Sequence, residues 1–367
     1  MKSRFFEVVK GNAARWEEVL KKHPEANFLQ SPEYAWINLD LGCEALIEDF
    51  GGDGWAVMIV RNARRGRYLE IPCGPLIDWG DEELVMRAIE KIREIARREK
   101  CVFVRMRPQI YATSENLALL KRFNLKVAPM HLAAENTVMI DLTQSEESML
   151  AGMRRQTRYE VRRAEKLGIK VERLTGKAAL VEFHAVQAET AKRQNFVPPS
   201  LETLKALGGA LQDKYWIYRA VLPGDAADNA ANTTAGGAGD SLNEGKDGAN
   251  NDRAGQPIAY GLIIACGKEA DYYEAASTDL NRKLPGAYAL LWQAMRDMKA
   301  AGYERFNLWG IAPAGQPHHR YAGVTTFKTG FGGSVINFVP AHDLVISSLK
   351  YLKNCAVELA RKKRRHL

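Results

Sequence analysis

Long apolar runs are absent from this chain of 367 residues. Nowhere do about 18 apolar residues follow one another, the length that a membrane-spanning helix requires. The first residues, MKSRFFEVVKGNAARW, contain no apolar core of the kind found in secretory signal peptides. With 46% hydrophobic and 26% charged residues, the composition is that of a soluble globular protein. These features predict a cytoplasmic protein, and the length favours two domains.

Residue clusters that bind metals or form disulfides are also missing. The five cysteines are scattered singly, with no C-x-x-C and no histidine cluster near them. Neither a disulfide framework nor a zinc site is therefore indicated. His318 and His319 are adjacent but have no ligand partner at helical spacing. No carboxylate pair or Ser-His-Asp arrangement stands out as a general base, and we expect no metal.

Positive charge, in contrast, is abundant. The net charge is +8 and the isoelectric point about 9.1, which favours an anionic partner. Nucleic acid, a nucleotide-linked substrate and an anionic membrane surface all fit this charge. It is concentrated in MRRQTRYEVRRAEK, residues 153–166, and in RKKRR, residues 361–365.

The first basic cluster has the pattern of a helix. Thr143 and Glu146 predict a capping box, and Gly168 predicts the helix end. Three arginines fall four residues apart on one face: Arg154, Arg158 and Arg162. Like charges at this spacing destabilise a helix, so we expect phosphates of RNA or substrate to offset them. Acidic groups elsewhere in the protein, or a solvated charged face, are the alternatives.

Residues 223–256 consist mostly of Gly, Ala, Asn and Asp, with no aromatic residue. Such a segment cannot bury enough apolar surface to offset the entropy of ordering it. It lies between the strand-like runs YWIYRAVL and PIAYGLIIACG. We therefore predict a disordered insertion in a hairpin loop and assign it no function.

Two parts of the chain share one layout, β-β-loop-α-β. The first comprises WAVMIVR, RYLEIP, the helix DEELVMRAIEKIREIARREK and CVFVRMRP. The second comprises YGLIIACG, DYYEAAS, the helix AYALLWQAMRDMKAAG and YERFNLWG. Apolar residues recur every three or four positions in both helices. Asp81 can cap the first helix, and Pro285 and Gly302 bracket the second. An α/β protein with a duplicated module follows.

This β-β-α-β layout is that of the N-acetyltransferase (GNAT) fold. Members that use coenzyme A carry R/Q-x-x-G-x-G/A at the helix start, where backbone N–H groups hold the pyrophosphate. The equivalent segment here is RKLPGA, residues 282–287. Pro285 replaces the first glycine and removes an N–H donor, so coenzyme A is not the expected acyl donor.

Several segments in this order resemble the FemABX aminoacyltransferases, which build the interpeptide bridges of bacterial peptidoglycan. They are NFLQSPEYAW, RRQTRYEVRRAEKLGI, ETAKRQNF, DYYEAASTDLNRKLPGAYALLWQAM, and the closing pair FNLWGI and GVTTFKTGFGG. The resemblance implies two GNAT-like domains in tandem, here without a coiled-coil arm. We expect residues 1–144, completed by 340–367, to form the first domain and 145–339 the second.

The resemblance also implies a reaction and its partners. An amino acid would pass from aminoacyl-tRNA to an amino group on the stem peptide of a peptidoglycan precursor, with no metal or coenzyme. The acceptor would be either soluble UDP-MurNAc-peptide or its lipid-linked form. We expect the substrate or the leaving ribose oxygen to carry the proton that the amine loses.

The same resemblance suggests the site residues. As the amine attacks the ester, the carbonyl oxygen gains negative charge, and a cation held beside it lowers the barrier. The lysine of the FK pair has this role in the family, which places it on Lys328, with Phe327 against the acyl group or ribose. Arg193 would hold a phosphate or carboxylate of the acceptor. The remaining predicted substrate contacts are Tyr273, Trp309 and Gly310. The alternative for Lys328 is an exposed lysine on a turn.

Two further segments bear on the acceptor. Family members with a soluble UDP acceptor have a phosphate-contacting lysine near the position of Asn38, so an uncharged residue here favours a lipid-linked acceptor. The final segment has an apolar stripe predicted to dock on the first domain: Leu344, Val345, Leu349, Leu352 and Val357. Its basic end could contact anionic lipid or tRNA.

Two other functions fit parts of this pattern. One is a coenzyme A-dependent N-acyltransferase, against which RKLPGA argues. The other is a non-catalytic basic protein that binds RNA or a membrane. The transferred amino acid, the accepting amino group and the oligomeric state are not encoded in any motif of the chain.

Overall fold

The computed structural model describes residues 15–64, 66–222, 255–316, 319 and 321–365, with only the backbone described for 363–365. The strands are β1 Glu44–Gly51, β2 Gly54–Ala63, β3 Gly66–Ile71, β4 Phe103–Met106, β5 Lys126–Val127, β6 Asn136–Asp141, β7 Lys170–Leu174, β8 Tyr215–Leu222, β9 Gln256–Cys266, β10 Glu269–Ser277, β11 Arg305–Gly310, β12 Ser334–Asn337 and β13 His342–Val345. The helices are α1 Pro32–Asp40, α2 Glu82–Arg98, α3 Ser114–Arg122, α4 Glu146–Gly152, α5 Arg155–Lys166, α6 Gly176–Gln194, α7 Leu201–Leu211, α8 Gly286–Ala300, α9 Ala322–Thr329 and α10 Ser348–Arg365. Most of the predicted insertion, 223–254, lies outside the described residues, as does His318.

The first sheet has the strand order β1-β2-β3-β4-β13-β5 among the described residues. β2 and β3 are antiparallel, and β3 and β4 are parallel, as a β-β-α-β unit requires. α2 connects β3 to β4, and Asp81 caps it by accepting a hydrogen bond from Leu84 N. Its apolar stripe is buried against the sheet, as the spacing of three and four predicts.

The second sheet repeats this unit, with the order β12-β6-β11-β10-β9-β8-β7 among the described residues. β9 and β10 are antiparallel, β10 and β11 are parallel, and α8 connects the last two. Pro285 is the N-cap of α8, and Gly302, with φ +88°, follows its end. The predicted pair of GNAT-like domains is confirmed.

The chain crosses between the sheets more than once. β6 pairs with β11 and β12 of the second sheet, although it lies inside the predicted segment 1–144. After β12 the chain returns, and β13 inserts between β4 and β5 of the first sheet. Strand pairing therefore favours a boundary before β6, and the division into domains remains a proposal.

The basic segment is not one capped helix, which corrects the sequence prediction. α4 ends at Gly152 and α5 begins at Arg155, because Met153 adopts an extended backbone with ψ 150°. Ser145 caps α4, whereas Thr143 bonds to Asp141. Gly168, with φ +65°, follows α5 as predicted.

The C-terminal stripe is oriented differently from its prediction. Leu344 is buried in β13, but Leu349 and Leu352 on α10 are 80% and 63% exposed. The inner face of α10 packs through Tyr351 against Val102 and Phe103. Polar contacts add to this packing: the Tyr351 hydroxyl donates to Asp343, and Arg105 donates to Glu358. These contacts leave the leucines facing outward. None of the described helices has both the length and the apolar character needed to cross a bilayer.

Candidate active site

Lys328 lies in the last turn of α9 and is only 8% exposed. Its Nζ donates a hydrogen bond of 2.9 Å to the carbonyl oxygen of Gly310, at the end of β11. The same Nζ lies 5.9 Å from the centre of the Tyr272 ring, within range of a cation–π contact. The alternative of an exposed lysine on a turn is therefore wrong.

Burial changes the charge of this lysine. Removal from water disfavours the ammonium and lowers the pKa of Lys328 to about 7, while Glu274 acts in the opposite direction. Near neutral pH the side chain is thus charged in only part of the molecules. An oxyanion formed beside it would favour the protonated form, so the charge is available where a reaction needs it.

Glu274 on β10 is the ionisable partner that the sequence did not reveal. A bulge between Tyr272 and Glu274 shifts the register of β10 against β9. The side-chain Nε2 of Gln187 donates a 2.7 Å hydrogen bond to its Oε2. Burial raises the pKa of Glu274 to about 7, against the opposing effects of Gln187 and Lys328. A carboxylate with this pKa can accept a proton near neutral pH.

The signal for Glu274 in the sequence was weak but present. It is one of two charged residues in the strand-like run DYYEAAS, the other being Asp271, and carboxylates are uncommon in strands. The alternation of side chains along a strand does not tell whether such a residue faces solvent or the protein interior when the position of a bulge is unknown. The fully buried Gln187, 87 positions away in sequence, is equally hidden from any motif.

Tyr273 and Trp309 meet in an aromatic cluster beside these groups. The Tyr273 ring centre lies 4.9 Å from Phe28 and 5.5 Å from Trp309. Trp309 has φ +60°, a left-handed conformation unusual for its type. Its N–H donates to Asn307 Oδ1 at 2.9 Å, which supports a bulge just before Gly310. This backbone shape aims the Gly310 carbonyl at Lys328.

The ring of Phe327 packs against two other aromatic rings of the second half of the chain. Its ring centre lies 5.0 Å from Tyr288 and 5.3 Å from Phe331. Phe327 is partly exposed, so a substrate can reach one side of it. The aromatic ring nearest Lys328 is Tyr272, rather than either flanking phenylalanine.

The glycines of FKTGFGG let this segment pack closely against neighbouring elements. A Cβ on Gly330 would lie 2.4 Å from Thr157 Oγ1, and one on Gly333 would lie 2.4 Å from the Met139 carbonyl. These glycines thus allow the segment to approach α5 and β6.

The three arginines of the basic segment have different surroundings. Arg154 is the N-cap of α5, and its Nη2 donates to Thr329 Oγ1 at 3.0 Å, next to Lys328. Arg158 is half-buried and donates to the carbonyls of Ala151 and Met153. Arg162 is exposed. All three arginines lie beyond the break at Met153: Arg154 is at the start of α5, and its carbonyl accepts a helical hydrogen bond from Arg158 N at 3.0 Å. The spacing of four residues along one helix is therefore kept, and their contact with phosphate stays a prediction. Arg154 and Arg162 remain candidates for phosphate contact.

Arg193 lies at the C-terminal end of α6, against the end of β10. Its guanidinium donates to the Ser277 carbonyl and lies 3.6 Å from Asp279. It is therefore anchored three residues beyond Glu274 and partly accessible. Asn38 is buried and donates to the Tyr34 carbonyl at 2.8 Å, so it is not placed to hold a phosphate.

A cavity of about 560 Å³ lies at the opposite ends of β10 and β11. Glu269 and Arg305 line it together with Trp79, Gln109 and Phe338. Lys328 and Glu274 do not line this cavity. Among the described residues there is no cluster suited to hold a metal ion.

Comparison with known proteins adds to this geometry. A model of the FemAB family matches residues 13–122, 123–220 and 231–358. The chain belongs to the FemAB family. Two relatives are named Aminoacyltransferase FemA: that of Staphylococcus epidermidis is 31% identical and that of Staphylococcus aureus 28% identical, each over 83 residues. These matches cover 23% of this chain and 20% of the FemA chains.

The fold of this FemAB-family protein is shared with solved structures. A crystal structure of FemX superposes with a TM-score of 0.77 at 16% identity, covering 92% of this chain and 97% of FemX. The structure of L-PGS from Bacillus licheniformis has a TM-score of 0.54 at 12% identity, covering 94% and 96%. At these identities the likeness concerns the fold alone.

Proposed function

We propose that this FemAB-family protein is an aminoacyltransferase. It moves an amino acid from aminoacyl-tRNA to an amino group on the stem peptide of a peptidoglycan precursor. The observation that carries the proposal is the buried Lys328. Its Nζ donates a hydrogen bond to the Gly310 carbonyl, and the charge of Glu274 raises its pKa against the effect of burial. The FemA names of the relatives support the reaction class.

In the proposed reaction the acceptor amine attacks the ester carbonyl of the charged tRNA. A C–N bond forms, the carbonyl oxygen becomes negative, and protonated Lys328 stabilises it. Glu274 takes the proton that the amine loses. The C–O ester bond then breaks as the carbonyl re-forms, and the ribose oxygen leaves with the proton that Glu274 returns. Glu274 thus replaces our expectation from the sequence that no protein group accepts this proton.

Phosphate and acceptor contacts follow from the same arrangement. Arg154 borders Lys328 through Thr329 and can contact the tRNA backbone, which gives the basic segment its proposed role. Arg193, Tyr273 and Trp309 would contact the acceptor. Because Asn38 is buried and uncharged, we propose a lipid-linked acceptor and a peripheral position at an anionic membrane surface.

Coenzyme A is disfavoured as the donor by the start of α8. The N–H of Ala287, which would face a pyrophosphate, donates instead to Asn281 Oδ1 at 3.1 Å. A Cβ on Gly286 would lie 2.5 Å from Ile258, so this glycine serves packing against β9.

Transfer of label tests the proposal. The full-length protein is mixed with tRNAs charged by a panel of radiolabelled amino acids and with UDP-linked or lipid-linked precursor. We expect label in the lipid-linked precursor with at least one charged tRNA. Label that moves only from an acyl-coenzyme A, or no transfer with any donor, would contradict the proposal.

A further inference from the structure

The outward face of α10 combines apolar side chains with positive charge. Three leucines on it are strongly exposed: Leu349 at 80%, Leu352 at 63% and Leu359 at 52%. Their spacing of three and seven residues places them on one side of a helix with 3.6 residues per turn. The residues that hold the helix in place, Tyr351 and Glu358, lie on the other side.

The charges on α10 are arranged around this stripe. Lys350 and Lys353 are exposed beside the first two leucines, and the helix continues into the basic residues 361–365. The single acidic residue between 348 and 365 is Glu358. It bonds to the buried Arg105 at 2.9 Å, so its charge is neutralised on the inner side. The outer face therefore presents leucines and cations without a carboxylate.

We propose that α10 docks on an anionic membrane, with Leu349, Leu352 and Leu359 inserted between lipids and the lysines at the headgroups. An amphipathic helix with an apolar stripe and basic edges lies in the plane of such an interface. Its cations are attracted by the negative surface potential. The leucine stripe offers nothing to RNA phosphates, and an antiparallel second copy would bring two rows of lysines together.

This docking surface adds a membrane contact to the proposed function. Its biological role rests on that function. A protein that acts on a lipid-linked precursor benefits from being held at the lipid surface, because the search for the acceptor is then confined to a plane. The binding itself needs only the helix face. The two claims can therefore fail separately.

Vesicle flotation of the full-length protein tests the docking surface. We expect binding to vesicles that contain phosphatidylglycerol and little binding to pure phosphatidylcholine. Leu349→Ser combined with Leu352→Ser should weaken binding about tenfold or more, with an unchanged melting temperature because both side chains are exposed. Lys350→Gln with Lys353→Gln should weaken binding to anionic vesicles and make its loss with salt less steep, because fewer charges remain to be screened.

The matched control is Val197→Ser, a change of an exposed apolar residue that is 94% exposed and lies outside α10. It should leave vesicle binding unchanged. Unchanged binding by the leucine variant would overturn the proposal. So would a wild-type dimer that the leucine variant converts to a monomer in sedimentation, since a second copy would then be the occupant.

Transfer to soluble UDP-linked precursor distinguishes this inference from the proposed function. If vesicle binding fails while label is transferred, the docking surface is wrong and the function stands. If the protein binds vesicles and no label moves to either precursor, the function is wrong and the surface stands.

Discussion

Lys328 on α9 and Glu274 on β10 are two ionisable side chains that the fold shields from water. Each has a pKa of about 7, reached from opposite directions: burial lowers that of the lysine and raises that of the glutamate. Burial disfavours both charged forms, and their mutual attraction only partly restores them. A pair of this kind can exchange protons near neutral pH, which is the property that amide formation from an ester and an ammonium requires.

The rate of transfer should follow pH in a way that reports both groups. The proposed reaction needs Glu274 ionised and Lys328 protonated, so the wild-type rate should rise toward about pH 7 and fall above it. Glu274→Gln should lower the rate by about 10²–10⁴ and remove the rising limb. The falling limb should move to lower pH, because the carboxylate that raises the pKa of Lys328 is gone. The exposed Glu189 supplies the control, Glu189→Gln. A rising limb that persists in Glu274→Gln would exclude this base.

The stability of a lysine variant should also depend on pH. Below pH 7 both the folded and the unfolded protein carry the charge of Lys328, and its burial penalty is present in full. Between about pH 7 and pH 10 the folded protein loses the proton first, and the penalty fades. Lys328→Met should therefore raise the melting temperature more at pH 6 than at pH 10. Equal shifts at both pH values, measured by calorimetry, would argue against the lowered pKa.

At the scale of elements, the sequence predicts those strands and helices that are set by the spacing of their own apolar residues. The strands of both β-β-α-β units and helices α2 and α8 were predictable, because their apolar spacing matches the faces that are buried. The break at Met153 was not, since it depends on Gly332 and Gly330 approaching α4 and α5 from a distant part of the sequence. The stripe of Leu349 and Leu352 was predicted to pack on the first domain but faces outward. The reason is that Asp343, which Arg105 holds, binds the opposite side of α10. Lys328 could be proposed from its motif, whereas Glu274 was not predicted, because a bulge sets its direction.

The segment after Lys328 should tolerate no side chain at Gly333. Its φ is +78°, and a Cβ there would lie 2.4 Å from the Met139 carbonyl and 2.6 Å from Ile140. Gly333→Ala should lower the free energy of unfolding by about 2 kcal/mol or more. Gly209→Ala on α7, where no atom lies within 4 Å, should raise it by about 0.5–1 kcal/mol. Urea unfolding measures both, and an equal effect of the two substitutions would refute the packing role.

Across the whole molecule, the return of the chain to the first sheet depends on a buried ionic network. Arg105 on β4 donates to both oxygens of Asp343 on β13, each at 2.8 Å, and also to Glu358 on α10. Removing Asp343 takes away two of these three hydrogen bonds of the buried Arg105 and leaves Glu358 as its remaining carboxylate. Asp343→Ala should therefore cost about 3–5 kcal/mol of stability. Lys268→Ala, which breaks an exposed pair with Glu304, should cost at most about 1 kcal/mol. Urea unfolding with comparable losses for both variants would contradict the structural role of the network.

The two sheets also share a core, in which residues of the first half pack with residues of the second. Asn27 strengthens this junction by donating to Glu269 and Asp271. The aromatic cluster of Phe28, Tyr273 and Trp309 spans the same junction. The proposed acceptor contacts Tyr273 and Trp309 thus lie where both halves meet.

The central claim is that Lys328 stabilises the oxyanion formed as an ester-borne amino acid passes to an amine. A single-turnover measurement of label transfer from charged tRNA to precursor tests it most directly, with Lys328→Met beside the wild type and the exposed Lys91→Met as control. We predict a rate about 10²–10³ lower for Lys328→Met, with a melting temperature at least as high as that of the wild type. Transfer at the wild-type rate by a folded Lys328→Met protein would contradict the account.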